Sequence, residues 1–241
     1  MKYAIIAAGE GSRLSEEGIK DPKPLIKVDG EPLVDRLIRI FMENDATEIV
    51  IICNDMTTLV SEHLREIQRD GVNGTPVRLR VIVKSTPSSM HSFFEISDYL
   101  KDEPFCLTTV DTIFNTDEFK KYISSFNSMV CQGDADGLMG VTDFIDDEKP
   151  LYVGVDDRMK ITGFYDTPND CRFISGGIYG LTPRSIATLR SCMERGESRM
   201  RNFQRALVAD GLCLNAYAFN KILDIDHADD IRKAENFLAG R

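Results

Sequence analysis

The chain has 241 residues, 42% of them hydrophobic and 28% charged, with a formal net charge of −10. A chain of this length and composition is globular and buries a substantial core without disulfide or metal staples. The acidic balance argues against a nucleic-acid binder and against a ligand held by a general basic field, so an anionic ligand requires cations concentrated locally.

The first element is the apolar run Tyr3-Ala4-Ile5-Ile6-Ala7-Ala8, which reads as a buried parallel strand. It passes directly into Gly9-Glu10-Gly11-Ser12-Arg13-Leu14, and Lys23-Pro24-Leu25 follows. Glycines let the backbone turn sharply and approach a ligand closely. Consecutive N–H groups in such a turn cradle phosphate oxygens, and Arg13 and Lys23 bring two cations to the same mouth. Ala8, Gly9, Gly11, Ser12 and Arg13 are therefore candidate nucleotide-binding residues, with a triphosphate as the ligand. Lys20 and Lys27 either extend the basic cluster or are ordinary solvated lysines. A dinucleotide fingerprint is excluded because Leu14 stands at its third glycine and the end of the second strand, where its acid belongs, lies near Cys53 to Asp55, much too far along; no Walker A loop occurs.

A helix over 32–44 begins at Pro32 and carries Leu33, Leu37, Ile40 and Phe41 on one face. Strand 48–53, amphipathic helix 57–69, strand 78–83, helix 89–100, strand 105–110 and helix 116–126 continue the alternation. The expected fold is α/β, a Rossmann-like and mostly parallel sheet flanked by helices. Right-handed crossovers then place the strand ends on one ligand-binding edge. From about 137 short strands at 137–142, 151–155 and 159–165 alternate with acidic loops, which reads as a small hairpin insertion over the sheet. A strand at 173–179 contains Gly176 and Gly177, where a ligand or a backbone comes close. Helices 183–195 and 201–211, strands 213–219 and 222–225, and a helix at 228–239 complete a single domain over 1–241. Its nucleotide-binding half runs to about 115 and its acceptor-binding half from about 116. No internal repeat is read and no hexapeptide repeat follows the transferase-like region, so the bifunctional acyltransferase type is not expected.

Asp111 follows the run Phe105–Val110, where a strand-end carboxylate reaches the ligand edge; a cap or turn role is the plain alternative. The second acidic element is Ile222-Leu223-Asp224-Ile225-Asp226-His227, whose alternation puts Asp224 and Asp226 on one side of an extended segment. Asp226 serves equally well as the cap of the last helix. The six cysteines are scattered, with no C-x-x-C pair, and read as free thiols in a reducing compartment. Met1-Lys2 leads straight into the first strand, no signal peptide is read, and no apolar run approaches a membrane span, so a cytoplasmic protein is expected.

The stretch AAGEGSRL at 7–14 with PKPL at 22–25 resembles the signature of the sugar-phosphate nucleotidyltransferases and their cytidylyltransferase relatives. The resemblance is most specific at 3–41, good at 105–112 and 222–239, and loose between. It implies a nucleotidyltransferase fold, GT-A-like, and an enzyme joining a nucleoside triphosphate to a phosphorylated sugar or small alcohol with release of pyrophosphate. It implies Mg2+ held by Asp111 and Asp224, with Asp226 as the alternative, although His227 and Ala228 stand where the family motif has threonine and proline. Arg13 and Lys23 become the catalytic cations, Arg13 on the leaving phosphates and Lys23 on transition-state charge. Ser88 and Ser89, in a segment placed like the family's base- and ribose-contacting loop, are nucleotide-binding candidates or simple helix caps. His91 reads as a packing residue and His63 as solvated.

Gly176, Gly177 and Arg172 are the acceptor-binding candidates. Thr167 stands where many glucose-1-phosphate enzymes have a lysine, so Arg172 or Lys160 must replace that grip, or Arg172 is merely solvated. That departure leaves room for a phosphocholine-type cytidylyltransferase. CTP and UTP are favoured over GTP, with no nucleic-acid or membrane partner. A metal-dependent glycosyltransferase, disfavoured by the single acid in Asp111-Thr112-Ile113, and a non-catalytic nucleotide-binding regulator are the remaining readings.

Overall fold

A computed structural model describes residues 1–146 and 148–240. The chain runs β1 (Lys2–Ala7), α1 (Ser12–Glu16), β2 (Lys27–Val28), β3 (Glu31–Pro32), α2 (Leu33–Glu43), β4 (Glu48–Cys53), α3 (Thr58–Asp70) and β5 (Leu79–Val83). It continues through α4 (Ser89–Ile96), β6 (Phe105–Thr109), β7 (Thr112–Phe114), α5 (Thr116–Gln132), β8 (Gly137–Thr142), β9 (Tyr152–Val155) and β10 (Ile161–Tyr165). Last come β11 (Phe173–Leu181), α6 (Ser185–Glu194), α7 (Met200–Ala209), β12 (Leu214–Phe219), β13 (Ile222–Asp224) and α8 (Ala228–Leu238). No described helix is long and apolar enough to cross a membrane.

Nine strands form one mixed sheet in the order β10-β9-β11-β6-β1-β4-β5, with β8 joining β11 to β12. β1 lies in its parallel centre between β4 and β6. Both faces are covered, which explains the unbroken apolar run. Tyr3, Ile5 and Ala7 pack with Leu33 and Phe41 of α2 and Phe119 of α5. Ala4 and Ile6 pack with Phe93 of α4 and Phe203 of α7. The ladder therefore fixes where β1 ends, and the Gly loop leaves at the carboxyl edge next to the end of β6.

The α/β architecture is the one expected, with three local differences. The insertion is the β9–β10 hairpin, and it extends the sheet edge through β11 instead of lying over it, while β8 is an inner strand of the sheet. Helix α5 continues past Phe126 because Met129 and Val130 still pack on the core. Two small antiparallel ribbons form, β2–β3 and β7–β13; β13 meets the strand expected at 222–225, while β2, β3 and β7 are additional. A strand of two or three residues has no readable period and exists only through its partner.

Candidate active site

The site forms where β1 and β6 end. Gly11 adopts φ 65° at the head of α1 and turns the chain so that Lys23 packs beneath it; a Cβ on Gly11 would sit 3.2 Å from Lys23 Cβ. Gly9 has an ordinary φ and open space around it. Asn54, just beyond β4, donates its amide to the carbonyls of Ala8 and Gly9 at 3.4 and 3.2 Å and steadies the loop from behind. Lys23 begins a single 3-10 turn with Pro24, whose ring is buried, and this turn delivers the ammonium inward.

The two acidic segments meet through the β7–β13 ribbon, in which Thr112 pairs with Asp224. One residue further on, Ile225 N donates to Asp111 O at 3.1 Å. Lys23 Nζ lies 2.5 Å from Asp111 Oδ2 and 2.8 Å from Asp226 Oδ1. Arg13, half exposed, reaches the other oxygen of Asp226 at 3.3 Å. Burial acts to lower the Lys23 pKa, but the two carboxylates outweigh it and hold the ammonium charged. Burial likewise acts to raise the Asp111 pKa, and the adjacent Lys23 ammonium overcomes this and holds the carboxyl below its ordinary range.

A cavity of about 450 Å3 opens over this cluster. Ala8, Gly9, Gly11, Ser12, Arg13 and Lys23 line one side, and Ser88, Ser89, Asp111 and Asp226 line the rest. Thr86, Ser92 and Thr109 also line it. Thr86 and Ser92 belong to the hydroxyl-rich segment noted in the sequence; Thr109 and the loop-supporting Asn54 were not singled out, and their only sequence signal is a place at a strand end. Ser88 caps α4 by accepting from His91 N at 3.4 Å, so it serves the helix while facing the cavity. Lys20 and Lys27 are exposed and stand outside it. His63 is not simply solvated: its Nε2 lies 2.6 Å from Asp35 Oδ1.

Of the two acids in the second segment, it is Asp226 that touches Lys23 and Arg13, while Asp224 lines the two neighbouring cavities. Asp226 is also tied to the start of α8, where its N–H donates to Asp230 at 3.1 Å. Gly176 and Gly177 occupy a bulge in β11. A Cβ on Gly176 would collide with Ile222, and one on Gly177, at φ 71°, would press on Thr112 Oγ1 at 3.0 Å. The close approaches at these glycines are by protein side chains, although both residues face cavities beside the site. Arg172 is elsewhere, 73% exposed and paired with Asp143 at 2.9 Å, in a separate cavity on the β9–β10 side.

The donor set suits a hard divalent cation that shares its coordination with phosphates. Asp111 Oδ1 is buried and has no hydrogen-bond partner among the described residues. Mg2+ asks for one or two carboxylates plus substrate phosphate oxygens, which Asp111 and Asp226 supply at one point. Among the described residues no group of three or more His, Cys, Asp or Glu side chains forms a self-sufficient metal cage.

The model of the nucleotidyl transferase family matches residues 2–241. A UTP–glucose-1-phosphate uridylyltransferase of Haloferax volcanii is 24% identical over 99% of this chain and 96% of its own. The inositol-1-phosphate CTP transferase structure from T. maritima superposes with a TM-score of 0.78 at 20% identity, covering 99% of this chain and 94% of that one. A glucose-1-phosphate thymidylyltransferase structure from Bacillus anthracis, titled putative, gives 0.83 at 18% identity over 99% and 95% of the two chains. At these identities the structural likeness speaks for the fold alone.

Proposed function

The chain belongs to the nucleotidyl transferase family, and from that membership we propose that it transfers the nucleotidyl group of CTP or UTP to a sugar 1-phosphate or a similar phosphorylated small molecule, with Mg2+ and release of pyrophosphate. The observation that carries this reading is Lys23 Nζ between Asp111 and Asp226 on the floor of a glycine-loop cavity. The choice of a pyrimidine nucleotide is supported by the name of one similar protein, a uridylyltransferase. A cytoplasmic setting accords with six cysteines that are all free thiols.

Asp111 would hold the metal together with Asp226, or with Asp224 as the alternative, and Mg2+ supplies charge neutralisation for the phosphates when bound. The rest follows from this chain's own groups. An oxygen of the acceptor phosphate forms a bond to the α-phosphorus, and the bond from that phosphorus to the bridging oxygen of the β-phosphate breaks. The electron pair leaves with pyrophosphate. No proton has to move, because the attacking phosphate is already ionised at neutral pH. Arg13, at the rim, suits the leaving β- and γ-phosphates with its fork of donors. Lys23, only 10% exposed, acts as a fixed charge on the nonbridging oxygens as charge shifts onto them. The glycine-loop amides and the Asn54 brace hold the triphosphate in register.

The test is pyrophosphate release over a matrix of CTP, UTP, TTP and GTP against hexose 1-phosphates, inositol 1-phosphate and phosphocholine, with Mg2+ or with EDTA. Release is expected only with a pyrimidine nucleotide, an acceptor and Mg2+ together. Release that survives EDTA would remove the metal from this reading. Glycosyl transfer from a nucleotide-sugar, or nucleotide binding with no release from any acceptor, would overturn it.

A further inference from the structure

In the sheet β4 lies between β1 and β5, so its carboxyl end stands between the two walls of the nucleotide cavity. One wall is the glycine loop that leaves β1. The other is the segment that leaves β5 and carries Thr86, Ser88, Ser89 and Ser92. The two residues that follow β4 are polar and reach opposite ways. Asn54 turns toward the loop, where its amide nitrogen donates to the carbonyls of Ala8 and Gly9 at 3.4 and 3.2 Å. Asp55 turns toward the other wall: its Oδ1 accepts from the Ser85 hydroxyl, and its N–H donates to the same Oγ at 3.4 Å. Ser85 immediately precedes Thr86, and Lys84 N donates to Cys53 O at 2.8 Å, so the β4–β5 ladder runs right up to these contacts. Asn54, Asp55 and Ser85 do not themselves line the cavity.

The direction of the Asn54 amide follows from its partners. The Met56 N–H can only donate, and it meets Oδ1 at 3.2 Å. The two loop carbonyls can only accept, so the amide nitrogen faces them. In a planar trans peptide the N–H points opposite to the carbonyl. Drawing the Ala8 and Gly9 carbonyls to Asn54 therefore turns the N–H groups of Gly9 and Glu10 away from Asn54, and both of these residues line the cavity. N–H groups presented in this way suit phosphate oxygens.

We propose that Asn54 and Asp55 are positioning residues for the nucleotide: side by side at the end of β4, they fix the glycine loop and the 85–92 segment at one separation, so that the two walls meet the nucleotide as a preformed pair. The inference rests on the nucleotidyl-transfer reading and adds to it residues that act only through the walls. Preforming the cavity removes part of the ordering cost of binding. Asp55 gives the clamp a sign of its own. A carboxylate near a triphosphate repels it, so electrostatics alone has nucleotide binding tighten when Asp55 is removed. The clamp has binding weaken on removal of Asp55, and stay as it is when an amide that still accepts from Ser85 takes its place.

The experiment uses the full chain and the variants Asn54→Ala, Asp55→Ala, Asp55→Asn, Ser85→Ala and the double variant Asn54→Ala/Ser85→Ala. Calorimetric titration of CTP and of UTP with Mg2+ and no acceptor gives affinity apart from turnover, and steady-state kinetics gives kcat and both KM values. Asp55 and Ser85 are exposed and Asn54 is half-buried, so each single variant should melt within about 4 °C of the wild type. Nucleotide Kd and KM should rise about threefold to tenfold in Asn54→Ala, Asp55→Ala and Ser85→Ala, with kcat and acceptor KM held within about twofold and Asp55→Asn close to the wild type. The double variant should bind more weakly than either single variant but short of the product of their effects, since a cavity already loose on one side gains less from the other. Unchanged nucleotide affinity in Asn54→Ala and Asp55→Ala would overturn the clamp. So would tighter binding in both Asp55 variants, or a double variant equal to the product. Weaker nucleotide binding in Asn54→Ala and Ser85→Ala, with no pyrophosphate released by the wild type from any acceptor, would sink the transfer reading and keep the clamp. A wild type that binds no nucleoside triphosphate would overturn both.

Discussion

Around Lys23 the charged groups come from three short segments that end neighbouring strands, and they neutralise one another: a nearly buried ammonium touches two carboxylates, one of which also touches Arg13. Around Arg199 the cations come from a helix start and a loop, and Arg199 itself is exposed, with no ion pair to a carboxylate among the described residues. The first arrangement is preorganised, as groups that meet developing charge have to be. The second is open, and ordering its side chains on any ligand would carry an entropy cost. The proposed transfer chemistry would therefore use groups held by the rigid parallel centre. Substitutions in the first region are expected to lower kcat.

The largest effect belongs to Lys23→Ala, which should lower kcat about a hundredfold or more at saturating substrates. It also leaves the buried Asp111 without its ammonium partner, at about 1–3 kcal/mol of stability, while Asp226 keeps Arg13. With the ammonium gone, burial is the largest influence left on Asp111, opposed only by hydrogen bonds, and its carboxyl is expected to move above the usual range. A carboxyl raised in the folded state costs stability at neutral pH and returns it as pH falls through the raised value. In the wild type the same group is lowered, so its contribution is present above the unfolded pKa and lost as pH falls through the folded one. Melting curves of the two proteins should converge toward acid pH. An unchanged kcat, or a stability gap that widens in acid, would contradict the preorganised cluster.

The next effect separates the two acids. Asp226→Asn removes the carboxylate that touches both Lys23 and Arg13, and should lower kcat about tenfold to hundredfold and raise the Mg2+ needed for half activity. Asp224→Asn acts from the neighbouring cavities and should chiefly change acceptor KM. The reverse pattern, with Mg2+ dependence moved by Asp224→Asn alone, would make Asp224 the second ligand.

These two regions were unequally legible in the sequence. The parallel centre was readable because each strand is a continuous apolar run bounded by turn residues, and β4 and β8 begin and end as expected. Gly11, Arg13 and Lys23 were readable because they sit within one short stretch of chain. Asp111 was readable as a carboxylate at a strand end. The different surroundings of Asp224 and Asp226 follow from the β7–β13 ribbon, a nonlocal pairing of three residues each that the sequence does not display. Arg199 and Gln204 gave no signal, since an arginine and a glutamine at the head of an amphipathic helix look like any solvated pair. Only the packing of α7 against β10 and α4 buries one and aims both at a cavity.

A smaller contrast lies within the glycine loop. Alanine at Gly11 must adopt φ 65° and place its Cβ 3.2 Å from Lys23 Cβ, so Gly11→Ala should lose about 1 kcal/mol and displace the lysine, lowering kcat severalfold. Alanine at Gly9 meets no protein atom within 4 Å and needs no left-handed backbone. Gly9→Ala should therefore keep the melting temperature and raise only nucleotide KM, by crowding the phosphates. Equal melting temperatures in the two variants would show that the turn at Gly11 is not what positions Lys23.

The smallest expected effect is at Arg172, which sequence reasoning offered as the replacement for a missing acceptor lysine. The fold places it on the β9–β10 side of the sheet, 73% exposed, against Asp143 at 2.9 Å and over the ring of Phe173 at 5.2 Å. The cavity it lines shares no residue with the two that meet at Asp111. An exposed pair of this kind is worth about 0.2–1 kcal/mol, and an exposed arginine stacked on a ring adds about 0.5–1 kcal/mol. Arg172→Ala should thus lower the melting temperature slightly and leave kcat, nucleotide KM and acceptor KM as they are. A rise in acceptor KM for Arg172→Ala would put the acceptor on the hairpin side, away from the two cavities that meet at Asp111.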